Sequence, residues 1–132
     1  MTRVPIATHP QIDQGLCGAP VVVEPGRAEV RLVTTPAMAA DDQGLVHGGF
    51  VFGAVDYAAM LAVNHPNVVL GSAQVKFLRP VRVGEAVIAR ATAGEAQGKK
   101  RVVTVEAARE GGEVVLAGEL VCFVLDRHVL EG

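Results

Sequence analysis

The sequence predicts an α+β fold in which one long buried helix is covered by a curled antiparallel sheet. Three observations carry this. Leu45 to Asn64, LVHGGFVFGAVDYAAMLAVN, is apolar nearly all round a 3.6-residue repeat, with Phe50, Val51, Phe52, Val55, Tyr57, Met60, Leu61 and Val63 reaching every side. A helix without a polar face is buried in a core or crosses a membrane. Downstream come apolar or alternating runs separated by turn signals, and upstream a short hairpin pattern. One buried helix on one antiparallel sheet is a two-layer solution to burying both.

Length and composition fit this. The 132 residues suit a single domain over 1–132, with residues 1–18 as an N-terminal arm and short helix. Half the residues are hydrophobic and no low-complexity run occurs, which argues against disorder. The formal charge of -2, without a basic cluster interleaved with aromatics, gives no reason to expect nucleic acid as a partner. Trp is absent, so the core must be built from Val, Ala and Leu. Cys17 and Cys122 have no metal-ligand spacing, and the N-terminus lacks the apolar run of a signal peptide. The expectation is a cytoplasmic protein with no metal and no cofactor, its cysteines acting as small buried hydrophobes. Leu45 to Val63 has nearly the ~20 residues of a membrane span, but Asp56 at its centre would cost about 2.5–3.5 kcal/mol there. Three glycines weaken it further, and amphipathic strands need something to cover, so no membrane is expected.

Taken in order, residues 1 to 8 read as an irregular arm, and His9 to Leu16 as a short helix ended by Gly15 or Gly18, with Ile12 and Leu16 on one face. Ala19 to Glu24 and Ala28 to Thr34 flank the turn signal Pro25-Gly26 and read as a hairpin, with Ala28, Val30 and Leu32 inward. Thr35 to Val46 is a loop that delivers the chain to the long helix. Asn64-His65-Pro66-Asn67 stops that helix, because Pro66 cannot continue the ladder and biases His65 away from helical angles. Val68 to Leu78 is a strand with Val75 and Phe77 on one face and Gln74, Lys76 and Leu78 on the other. Pro80 and Gly84 mark a corner, followed by a strand from Val83 to Ala93 and a turn over Gly94 to Lys100. Arg101 to Arg109 places Val103, Val105 and Ala107 inward, and Glu110-Gly111-Gly112 is a tight hairpin turn. Glu113 to Leu125 is apolar on both faces except Glu119, as for a strand inside a sheet or at an interface. A single helix covers only part of such a sheet, so the outer face and edges call for a second copy: a homodimer or a dimer of dimers.

Asp56 is the residue that does not belong. A carboxylate inside a buried helix is costly unless it is paired, hydrogen-bonded or neutralised, which marks it for chemistry or for a buried partner. The same helix opens on His47-Gly48-Gly49. The first amides of a helix lack intrahelical acceptors and carry the positive end of its dipole, and glycines leave them accessible. They could stabilise a developing oxyanion, or the glycines could merely make the turn.

His47-Gly48-Gly49, an acidic residue nine positions after the His, and Gly44 before them together resemble the hotdog-fold thioesterases, most closely the phenylacetate-degradation type. Phe77-Leu78-Arg79-Pro80-Val81 followed by Gly84-Glu85 is similar to that family's sheet corner, and the likeness extends from about Val22 to Leu125. The resemblance implies a hotdog fold, a central helix wrapped by a long antiparallel sheet. It implies that His-Gly-Gly of one subunit faces the acidic residue of the other across a dimer interface. On that basis the Gly49 amide polarises a thioester carbonyl, with Gly48 beside it, and Asp56 is either the general base for water or the nucleophile. His47 would orient the turn by hydrogen-bonding locally. Many relatives carry Asn six residues before the His, where this chain has Asp41, and a second carboxylate there could disturb Asp56 or simply face solvent. Relatives also present a Ser or Thr from the strand after the helix, for which Ser72 is the candidate. Lys76, Arg79 and Arg82 at the corner, or Lys99 to Arg101 at the turn, are candidates for the phosphates of CoA, or else a solvated surface. The implied activity is acyl-CoA thioester hydrolysis. The alternative is a non-catalytic acyl-CoA or fatty-acyl binding protein with a regulatory role, and dehydration of acyl groups on carriers is a third reading.

Overall fold

The computed structural model describes residues 3–132. A six-stranded antiparallel sheet wraps one long helix. In chain order the elements are α1 (Gln14–Cys17), β1 (Ala19–Glu24), β2 (Arg27–Val33), α2 (Gly48–Val63), β3 (Val68–Phe77), β4 (Ala86–Ala93), β5 (Lys100–Arg109) and β6 (Val114–Val124). The strand order is β1-β2-β4-β5-β6-β3. This is the α+β hotdog arrangement expected from the sequence.

The inward set is the one the alternation marks. Ala28, Val30 and Leu32 of β2, Val87, Ala89 and Ala91 of β4, and Val103, Val105 and Ala107 of β5 are all buried against α2. Leu61, Met60, Val55 and Ala58 of α2 fill the space between. Truncating Leu61 or Leu116 in this core would cost about 2–5 kcal/mol. The outer face of β2, β4 and β5 carries an ion-pair ladder instead: Arg27 to Glu29 at 2.8 Å, and Arg90 to Glu29 at 3.6 Å and to Glu106 at 3.7 Å. That part of the outer face is a solvated surface and does not call for a covering subunit.

Three local details correct or sharpen the sequence reading. The first helix is only Gln14–Cys17, because the Asp13 carboxylate accepts from the Gly15 and Leu16 amides and so sets its start. Helix α2 ends one step before the proline effect, at Asn64 in the left-handed conformation (φ 54°), whose N–H donates to Met60 O. Strand β3 leaves the helix for the far edge of the sheet and, among the described residues, pairs only with β6. Gly118 makes that curl possible, since a Cβ there would run into the backbone of Gln74 and Val75.

Strand β6 lies between β5 and β3, which explains why it is apolar on both faces. Both cysteines are free, Cys122 buried and Cys17 half-buried. Among the described residues, no helix is long and apolar enough to cross a membrane.

Candidate active site

The loop before α2 is pinned so that the helix can start only at Gly48. Val46 N donates to Val81 O at 2.9 Å, and His47 N to Met38 O at 2.9 Å, with Met38 fully buried. His47 is then the N-cap in extended geometry, and its carbonyl accepts from Phe50 N. Asp41 organises the same loop, its Oδ1 accepting from Gln43 N at 3.0 Å and Leu45 N at 3.1 Å. An Asn would offer the same acceptor, so this loop does not need the charge.

The His47 side chain does not do what the sequence suggested. It makes no capping hydrogen bond and stands exposed, edge-on to Phe50 with ring centroids 6.1 Å apart. Its ring lies where a side chain on Gly49 would go, 3.0 Å from a Cβ built there. A Cβ on Gly48 would come equally close to the Phe77 ring. A side chain at either position would push an exposed ring aside, and with glycine there the Gly49 amide is left at the exposed, positive end of the helix.

Asp56 sits in the middle of α2, and its Oδ1 is buried with no hydrogen-bond partner among the described residues. Burial pushes its pKa up to about 6. No second carboxylate contributes, so Asp41 does not act on it within the chain. The charge of Asp56 reaches Cys17 on α1 and Cys122 on β6. It adds to the burial that raises both thiols, Cys122 to about 11. The carboxylate is thus within electrostatic range of both the short helix and the inner face of β6.

Within one chain His47 and Asp56 do not meet, because nine residues of helix separate them by about 13 Å along the axis. What does share a face is Gly49, Gly53 and Asp56, at i, i+4 and i+7, on the stripe of α2 that its own sheet leaves open. Gly53, which the sequence reading passed over, has nothing within 4 Å of a Cβ position. The spacing of Gly49, Gly53 and Asp56 was the available signal.

The other candidates are spread out. A bulge at Gly71 shifts the β3 register, so Ser72 pairs with Val121 and stands on the sheet face away from α2. Lys76, opposite Ala117, is on that outer face too. Ser72 therefore does not turn toward Asp56 or Gly49 in its own chain. Arg79 lies at the rim of an apolar groove of about 340 Å³ beside Gly48, walled by Val51, Phe77, Leu78 and Val81, and its guanidinium is paired with Glu113 at 2.6 Å. Among the described residues no cluster of His, Cys, Asp or Glu is placed to hold a metal ion.

Residues 43–116, which include the His-Gly-Gly turn, Asp56 and the sheet corner, match the thioesterase superfamily. The chain belongs to that superfamily. An uncharacterized protein of Pyrococcus horikoshii has the same structure with a TM-score of 0.94 and 50% identity, covering 98% of this chain and 99% of that one. A mutant of the phenylacetic acid degradation protein PaaI from Thermus thermophilus superposes with a TM-score of 0.76 at 28% identity, over 85% of this chain and 96% of that one. Among curated relatives, methylthioribose-1-phosphate isomerase of Aquifex aeolicus is 55% identical over 122 residues, 92% of this chain. The transcription factor FapR of Shouchella clausii is 33% identical over 89 residues, 67% of this chain. The chain spans only 26% of the isomerase and 46% of FapR.

Proposed function

We propose that this superfamily member hydrolyses acyl-CoA thioesters in a site shared by two copies of the chain. The observation that carries the reading is the open stripe Gly49–Gly53–Asp56. Gly53 lies next to the midpoint between the other two residues. Two α2 helices crossing antiparallel about a two-fold axis at Gly53 would set Gly49 of one subunit against Asp56 of the other. Packed helices lie about 8–10 Å apart, and the absence of side chains at 49 and 53 leaves room for a thioester between them. The unpaired β3 edge and the exposed Phe77 and Leu78 beside it support a second copy continuing the sheet.

In that site the Gly49 amide, at the positive end of α2, meets the carbonyl oxygen and stabilises the negative charge that develops on attack. Asp56 acts as a carboxylate in either of two ways. As base it takes a proton from water while the water oxygen bonds to the carbonyl carbon, then returns the proton to the departing thiolate as the C–S bond breaks. As nucleophile its oxygen bonds to the carbonyl carbon while the C–S bond breaks and CoA leaves as the thiolate, giving a mixed anhydride that water cleaves to the free acid and the regenerated Asp56 carboxylate. The His47 ring fills space beside Gly49, while its backbone amide, bonded to Met38 O, keeps the turn in place. Lys76 and Arg79 are the cations for the CoA phosphates, Lys76 the freer of the two because Arg79 is held by Glu113. Residues 1–132 act as one hotdog unit. The isomerase name belongs to a much longer chain, of which this one spans 26%, and does not carry over.

The likeness to a transcription factor favours a second reading, an acyl-CoA sensor that binds without turnover. A panel of acyl-CoA esters, with free thiol measured on release, decides. Turnover that is lost in Asp56→Ala while binding persists supports the hydrolase; tight binding with no turnover at any chain length replaces it with the sensor.

A further inference from the structure

Phe77 faces inward and is nevertheless open. Its cross-strand partner is Leu116, which is fully buried, so the two side chains share the inner face of the sheet. Phe77 is still 57% exposed. The part of α2 beside it is Gly48, which has no side chain to lay on the ring; a Cβ built there would come within 3.0 Å of it. Between the ring and the start of α2 runs the groove of about 340 Å³. Four buried valines form its floor, Val46, Val51, Val81 and Val115, and Phe77 and Leu78 form its exposed lip.

The groove offers little to a polar group. Peptide groups of its walls are spent on one another: Val46 N donates to Val81 O at 2.9 Å, and Leu78 N and Arg79 N donate to Val115 O at 2.7 and 3.3 Å. Arg79 is the one charged side chain lining it, and Glu113 holds that guanidinium at 2.6 Å. Gly48 is part of the wall, so the groove opens beside the Gly49 amide.

We propose that this groove takes the acyl arm of the thioester, that it selects an unsubstituted hydrocarbon chain of medium length, and that Phe77 is the residue that sets this preference. The proposal rests on the hydrolase reading for one thing, the placing of the thioester carbonyl at Gly49.

A thioester held there has two arms. The CoA arm carries amides, which need hydrogen-bond partners when they leave water; the acyl arm needs only apolar surface. The valine floor supplies that surface and no partners, so the acyl arm enters and the CoA arm stays outside. At about 30 Å³ for each water-sized group, the groove holds on the order of ten, a chain of about eight to ten carbons. Each methylene that enters is removed from water, whereas a hydroxyl on the buried end of the chain loses its water and finds no partner. The Phe77 ring flanks the chain from the open side. Pairing of the β3 edge with a second copy would use backbone groups and leave this ring facing the groove.

Two experiments on the full chain test this. In the first, kcat/KM is measured along the straight-chain series from acetyl-CoA to palmitoyl-CoA. It should rise about fourfold per methylene up to about ten carbons and then flatten. ω-Hydroxyoctanoyl-CoA should fall about tenfold to a hundredfold below octanoyl-CoA. Phe77→Ala, a change at an exposed side chain, should lower the octanoyl-to-acetyl ratio about tenfold, and Phe77→Leu should restore most of it. Rates indifferent to chain length, or a hydroxylated chain accepted as well as the plain one, overturn the proposal.

The second experiment does not involve turnover. S-octyl-CoA, a thioether that cannot be hydrolysed, is titrated while the valine methyl groups are followed by NMR. Val51, Val81 and Val115 should shift with S-octyl-CoA and stay in place with CoA itself. Shifts of these methyls in a protein that turns over no ester uphold the groove while the hydrolase reading fails. Turnover with the methyls unmoved overturns the groove while the hydrolase reading stands; a second copy of the chain filling the groove would give that result. Absence of S-octyl-CoA binding at millimolar concentration overturns it as well.

Discussion

Gly49 and Asp56 share one open face of helix α2, seven residues apart, with Gly53 between them. The amide at the helix start and the carboxylate in its middle are too far apart along one axis to act on one carbonyl. They lie on the same stripe, so in the proposed dimer a second helix laid antiparallel across Gly53 would bring them together twice, once on each side of the two-fold axis.

Asp56 is required as a carboxylate under both chemical schemes. With its pKa raised to about 6 by burial, kcat/KM should rise about tenfold per pH unit below that value and level off above it. A pH–rate profile on a good acyl-CoA ester checks this. A rate that falls as pH rises through the same range would assign Asp56 to the acid form instead.

The same burial makes Asp56 a stability liability at neutral pH. The folded pKa lies above the unfolded one, so the protonated form's contribution is complete below about pH 4 and is lost as pH rises through about 6. Asp56→Asn should therefore stabilise the protein by about 1–3 kcal/mol at pH 8, with the difference shrinking to nothing by about pH 4. Urea unfolding at the two pH values measures it. A gain in stability together with a loss of turnover is the pattern of a functional group held at a cost.

Gly49→Ala should lower kcat by about tenfold to a hundredfold while leaving the fold intact. The new Cβ would lie 3.0 Å from the His47 ring, which is exposed and can turn aside, but it then stands over the amide. His47→Ala, which removes an exposed side chain that makes no capping hydrogen bond among the described residues, should change stability by less than about 0.5 kcal/mol. Steady-state kinetics and thermal melts on both variants separate the two effects.

Gly53→Leu tests the crossing. Its Cβ meets nothing within 4 Å inside the chain, so the protomer should fold as before. A branched side chain at the crossing point would instead hold two helices apart. The expected result by analytical ultracentrifugation is a shift from dimer to monomer, with turnover lost in parallel. A fully active dimeric Gly53→Leu protein would rule out this interface.

Much of this was legible along the chain. The all-round apolar helix, the inward residues of β2 and β5 and the cost of burying Asp56 all follow from periodicity and transfer energies, which are local properties. The hotdog resemblance rested on short motifs at fixed spacings, and these too survive without coordinates. What failed were features set by contacts distant in sequence. Ser72 follows Val68 and Leu70 in simple alternation, which would turn it inward. The bulge at Gly71, where a Cβ would strike the Phe123 ring, turns it outward instead.

The sequence by itself determined the layer architecture, the burial pattern and the presence of a carboxylate that a core would not tolerate without purpose. Only the tertiary structure decided which elements surround that carboxylate. It put β3 at the far edge, left the Gly49–Gly53–Asp56 stripe outside the grip of its own sheet, and tied Pro5 and Ala7 to Asn64 at the end of α2. The physical reason is that periodicity reports which side of an element is apolar, whereas the partner of that side is chosen by chain-distant packing and hydrogen bonds.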